Sequence, residues 1–143
     1  LFSANKNQQP GEIAQVASGG EISRVMLALK YVLSGAKQLP VIILDEIDTG
    51  LSGEVAHRMS LIMREMAGRM QVISISHLPQ LAAAGNCHFN VCKEDRGETT
   101  ISGIRKLTPE ERVQEIAGMI SGQEITPAAI ETAKILLSAK AGN

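Results

Sequence analysis

The chain has 143 residues, 44% hydrophobic and 20% charged, with a formal net charge of -1 and only 2% aromatic residues. That is enough chain for one domain with an apolar core. The near-neutral charge and scarce aromatics argue against a nucleic-acid grip, which needs a basic face or stacking platforms. No apolar run approaches a membrane span and no charged-then-apolar leader is present, so no membrane role is expected. The chain opens Leu1-Phe2-Ser3 without an initiator Met, and a cut or processed piece is expected.

Residues 1–17 read as irregular, with Asn5, Asn7, Pro10 and Gly11 marking loops. Ser18-Gly19-Gly20-Glu21 then leads into a helix. Ile22, Val25, Met26, Leu29, Val32 and Leu33 recur at helical spacing, which predicts that this face packs inward, and Gly35 is a plausible stop. After Pro40, the continuous run Val41-Ile42-Ile43-Leu44 predicts a strand covered on both faces. The run ends in Asp45-Glu46, and a loop follows from Ile47 to Gly53.

A second helix is expected with Val55, Met59, Ile62, Met63 and Met66 on one face, ending at Gly68. Val72 to Ile75 reads as another short strand, closing with Ser76-His77, and Pro79 suits the first turn of a short helix. Phe89 to Lys93 and Thr99 to Arg105 read as two strands joined by a turn at Asp95-Arg96-Gly97. Thr108-Pro109-Glu110-Glu111 has capping-box spacing, and Val113, Ile116, Ala117 and Ile120 form the stripe of the helix it starts. Thr126-Pro127 opens a last helix toward Leu137. The alternation of elements predicts an α/β fold, a mostly parallel sheet flanked by helices.

Cys87, His88 and Cys92 invite a metal reading, but a closed zinc site needs four ligands at workable spacing. Two reduced, partly buried thiols are expected instead.

Four local features carry chemistry. Ser18-Gly19-Gly20-Glu21 sits at a helix start, where backbone N–H groups are unpaired and glycines allow a phosphate close. A plain Ser N-cap followed by a glycine turn accounts for the same residues. Asp45-Glu46 ends an apolar strand, where one carboxylate can hold Mg²⁺ through water and the next can orient an attacking water. Without a ligand they are two acids opening a solvated loop. His77 follows the next strand and would lie at the same sheet edge if the strands are parallel neighbours; a lone loop histidine is more often a surface or capping group. Asp48-Thr49-Gly50-Leu51-Ser52-Gly53 is a polar loop suited to touch a partner, or simply the approach to a helix capped by Ser52.

The order of these features resembles that of ABC-type ATPases: signature motif (Ser18, Gly19, Gly20, Glu21), Walker B (Val41 to Glu46), D-loop (from Asp48) and H-loop (His77). Glu21, and Asp45-Glu46-Ile47-Asp48 without a proline, are similar to SMC-like heads rather than transporter subunits. The strings from Ala17 to Arg24, Asp48 to Gly53, Ser76 to Gln80 and Glu111 to Ala117 resemble the RecN family of DNA-repair ATPases. The similarity runs over nearly all of 1–143 and is weakest in residues 1–15.

The resemblance implies the C-terminal lobe of a P-loop ATPase head that pairs with a second head on ATP, in repair of DNA double-strand breaks. Ser18, Gly19, Gly20 and Glu21 would cover the γ-phosphate of an ATP held by the partner head. Asp45 would position Mg²⁺, Glu46 would polarise the attacking water, His77 would sense the γ-phosphate, and Asp48 would reach across the dimer. DNA would be met through other regions, in the cytoplasm with the nucleoid.

No G-x-x-x-x-G-K-S/T phosphate loop occurs in the sequence. In the family that loop lies far upstream, so this chain alone is expected to be inactive and to need the upstream Walker A half of the same head. The competing functions are an ATPase subunit of another ABC or SMC type, and an interaction module without chemistry.

Overall fold

A computed structural model describes the chain except residues 4–6, 8, 37–38, 46, 97–98, 123 and 140–143, and the side chains of 35–36, 94–96 and 99–100. The chain divides into two compact units, Leu1–Leu81 and Ala82–Asn143.

The first unit is built on a parallel β-α-β element. Strand β1 (Val41–Asp45) pairs in parallel with β2 (Gln71–Ile75), in a register that sets Ile43 against Ile73 and Asp45 against Ile75. Parallel neighbours need a crossover, and helix α3 (Gly53–Ala67) supplies it. Its Ala56, Met59, Met63 and Met66 are buried, the methionines falling on the face their spacing predicts. Gly68 caps its end, donating to Arg64, Glu65 and Met66 carbonyls. Leu44 and Met66 are among the most buried side chains, each contributing about 1.5–3 kcal/mol by leaving water.

Of the first 17 residues, read as irregular, Asn5 lies outside the described ones, and the described ones include two ordered features. Phe2 and Gly11 form an antiparallel bridge, and a single turn, α1 (Ile13–Val16), follows. Helix α2 (Gly19–Ala36) faces the core through Leu27, with Tyr31 partly buried beside it. The Tyr31 hydroxyl donates to Glu65 at 2.7 Å and so ties α2 to α3.

Two sequence expectations fail here for one reason. The stripe of α2 read as inward is largely bare: Ile22, Met26, Leu29, Val32 and Leu33 are exposed, Val32 to 68%. Strand β1 is covered on one face only, with Ile42 and Leu44 buried but Val41 and Ile43 exposed, Ile43 to 60%. Its partners across the register on β2, such as Ile73 and Ile75, are exposed as well. Composition reports which surfaces are apolar, not whether this chain covers them. Short helix α4 (Pro79–Ala84) spans the division between the units.

In the second unit, β3 (Phe89–Arg96) and β4 (Thr99–Lys106) form an antiparallel hairpin. Asp95 and Arg96, read as turn residues, extend β3, and Gly97 lies outside the described residues. Helix α5 (Pro109–Ser121) starts with the predicted box. Thr108 accepts from the Glu111 amide, and the Glu111 carboxylate accepts from the Thr108 amide at 2.8 Å. Helix α6 (Pro127–Ser138) is capped by Thr126. The two helices pack through Ile116, Ala117, Ala129 and Ala133, with Ala83 in the same cluster. Arg112 of α5 donates to the carbonyls of Gly85 and Asn86. Cys87 and Cys92 are free and exposed rather than partly buried.

Candidate functional site

Asp45 ends β1 opposite Ile75, the last residue of β2, so both strands deliver their following loops to one end of the sheet. That end of a parallel sheet is where ligands bind in open α/β folds. Asp45 is exposed and borders a cleft of about 280 Å³ shared with Ser23, Met26 and Lys30 of α2 and with Ile43. Glu46, the expected water-orienting residue, lies outside the described residues.

Asp48 is turned inward and is 1% exposed. Its Oδ2 accepts from the Ser76 hydroxyl at 2.6 Å, from the His77 amide at 2.9 Å and from the Leu78 amide at 3.2 Å. Burial alone would push this carboxyl up. The hydrogen bonds from Ser76 and from backbone amides, with the nearby His77, outweigh burial and hold it below its ordinary value. The outer surface of the loop is left to Thr49 and Gly50, and Gly50 takes the positive φ of 71° that favours glycine.

His77 is brought to the same place. Its Nδ1 lies 3.3 Å from Asp48 Oδ2, while the rest of the side chain remains 67% exposed. Ser18 and Glu21 form a reciprocal box at the start of α2. The Glu21 carboxylate accepts from the Ser18 amide at 2.7 Å and the Ser18 hydroxyl at 2.8 Å, and the Glu21 amide approaches Ser18 Oγ at 3.4 Å. The Ser18 amide first, then its hydroxyl, lower the Glu21 pKa. The hydroxyl proton expected to meet a phosphate is therefore engaged within the chain.

Gly19 has open space where a side chain would be, whereas Gly20 is pressed against the Thr49 carbonyl. The start of α2, the loop after β1 and the loop after β2 are thus joined in sequence through Gly20 and Thr49, then Asp48 and His77. Sequence reasoning missed Ser76 and Thr49 as partners. The Ser-x-x-Glu spacing of 18 and 21 was a signal for the box that went unused. Among the described residues, no group of three His, Cys, Asp or Glu side chains could form a metal cage. No helix among them is long and apolar enough to cross a membrane.

No protein-family model matches the chain. It is similar to the DNA repair protein RecN of Halalkalibacterium halodurans, 44% identical over 136 residues, covering 95% of this chain and 24% of that protein. The RecN proteins of Deinococcus radiodurans and Bacillus subtilis are 41% and 40% identical over 137 residues, each match covering 96% of this chain and 24% of the relative. The chain thus spans about a quarter of the length of the curated relatives it matches. Among solved structures, one described as the structural biochemistry of ATP-driven dimerization and DNA-stimulated activation of SMC ATPases shares the fold. The TM-score is 0.63 at 21% identity, over 82% of this chain and 70% of that one. Over the stretch that it spans, the chain is similar to the RecN proteins.

Proposed function

We propose that this chain is the signature, Walker B, D-loop and H-loop part of an ATP-binding head, working within a longer RecN-type protein in DNA repair. The observation that carries this reading is the approach of Gly20 to Thr49 and of Asp48 to His77, at the end of the sheet where Asp45 closes β1.

The residues fit one side of an Mg·ATP site. The start of α2 offers backbone N–H groups beside Gly19, which leaves room for a phosphate to approach. Asp45 offers an exposed carboxylate at a strand tip, suited to Mg²⁺ held through water. Glu46 would orient the attacking water, and His77 would contact the γ-phosphate or that water. Nothing in the sequence supplies the lysine-bearing loop that grips the triphosphate. The upstream half of the head would bring it, and would cover the bare apolar stripe of α2 and the open face of β1 and β2. A second head would complete each site, and ATP would hold the pair together until hydrolysis. DNA would be met by other regions of the longer protein, in the cytoplasm.

Glu46→Gln in the full-length protein tests this. ATP should still bind, single-turnover hydrolysis should fall by about a hundredfold or more, and the ATP-bound dimer should accumulate. Hydrolysis near the wild-type rate would move the role to another residue.

A further inference from the structure

Asp48 is the one charged side chain among the described residues that is buried. A carboxylate withdrawn from water needs hydrogen bonds to be tolerated. Here the donors come from three consecutive residues, Ser76, His77 and Leu78, all on Oδ2. The backbone leaving β2 is therefore wrapped around one oxygen. The same oxygen faces Nδ1 of His77 at 3.3 Å.

A neutral amide oxygen could accept from the hydroxyl and the two backbone amides equally well. What the negative charge adds is a preference for a proton on the ring nitrogen facing it. We infer that Asp48 is a positioning residue acting on His77 of its own chain: it sets the loop from Ser76 to Leu78 and keeps Nδ1 protonated, leaving Nε2 as the nitrogen that works. Nε2 can then accept from a water or, once protonated, donate to a phosphate oxygen. This deepens the proposed function and rests on His77 belonging to the ATP site. It gives Asp48 a role inside one head, distinct from a reach into a second.

Two measurements test it. Nitrogen-15 correlation spectra of the 143-residue chain, at a pH where the ring is neutral, should show His77 as the Nδ1–H tautomer. Asp48→Asn should abolish that preference. An Nε2–H tautomer in the unaltered chain would overturn the inference, even if the variant failed to fold. In the full-length protein, Asp48→Asn should lower kcat roughly ten- to hundredfold with KM for ATP nearly unchanged. Added to His77→Ala, it should cost less than about twofold, because residues acting as a unit are not additive. An equal loss with and without His77 would show Asp48 acting elsewhere and would also overturn it. If the unaltered full-length protein hydrolyses no ATP, the proposed function fails, and the spectra still decide whether Asp48 positions His77.

Discussion

An ideal Cβ on Gly20 would stand 2.6 Å from the carbonyl oxygen of Thr49, so α2 and the loop after β1 touch through bare backbone. No side chain fits there unless that backbone shifts. Gly19, one residue earlier in the same helix, has nothing within 4 Å of its own added Cβ. Two adjacent glycines therefore answer different needs, the second closing the chain on itself and the first leaving space outside.

Gly19→Ala should be neutral or stabilising by up to about 1 kcal/mol, since alanine is the better helix former. Gly20→Ala should instead cost about 1–3 kcal/mol through overpacking. Urea unfolding of both variants checks the contrast. In the full-length protein Gly19→Ala should nonetheless weaken ATP-driven pairing, if a phosphate from the partner head must approach at that position.

The box between Ser18 and Glu21 changes what a substitution at Ser18 can mean. Asp normally caps a helix as well as Ser, so Ser18→Asp would be expected to preserve stability. Here the Glu21 carboxylate lies 2.8 Å from the Ser18 hydroxyl, and Asp at position 18 would set two carboxylates together. Ser18→Ala should cost about 1 kcal/mol as a lost cap, and Ser18→Asp should melt no higher than Ser18→Ala at neutral pH. Adding Glu21→Gln to Ser18→Asp should recover the loss. A fully stable single Asp variant would show that Glu21 swings away freely.

Three carboxylates give the acid limb of stability its shape. Glu111 is held low by the Thr108 amide first and then by Arg105, whose guanidinium lies 2.6 Å away. Glu21 and Asp48 are also lowered, from ordinary values of 4.5 and 3.8. A depressed folded value means that the unfolded chain binds the proton more readily. The stabilisation is complete above the ordinary value and is lost as pH falls through the folded one. Urea midpoints measured from pH 7 down to about 3 should therefore decline below roughly pH 4.5. The decline should be shallower in Asp48→Asn and in Glu111→Gln. Identical slopes in the variants would place the acid sensitivity in other groups.

Local rules carried the sequence reading where the cause was local. Thr108 and Glu111, Thr126 and Pro127, and the methionine spacing of α3 each determine their own helix, and all were legible. The parallel pairing that puts Asp45 opposite Ile75 followed from apolar runs separated by a helix. Burial was less legible. Val32 and Ile43 read as core residues because they are apolar, yet a single chain need not cover every apolar face it carries. Asp48 read only as the start of a polar loop suited to touch a partner. Its burial depends on Ser76, His77 and Leu78, about thirty residues away in sequence, which no local pattern reports.

The central claim is that this chain holds only part of an ATP site. Calorimetric titration with Mg·ATP tests it most directly, first on the chain alone and then on the chain mixed with the upstream half of the longer protein. The account predicts no measurable binding alone and micromolar binding in the mixture. Burial of the exposed faces bearing Val32 and Ile43 should accompany association of the two pieces and give a negative heat-capacity change. Micromolar binding by the chain alone would contradict the account.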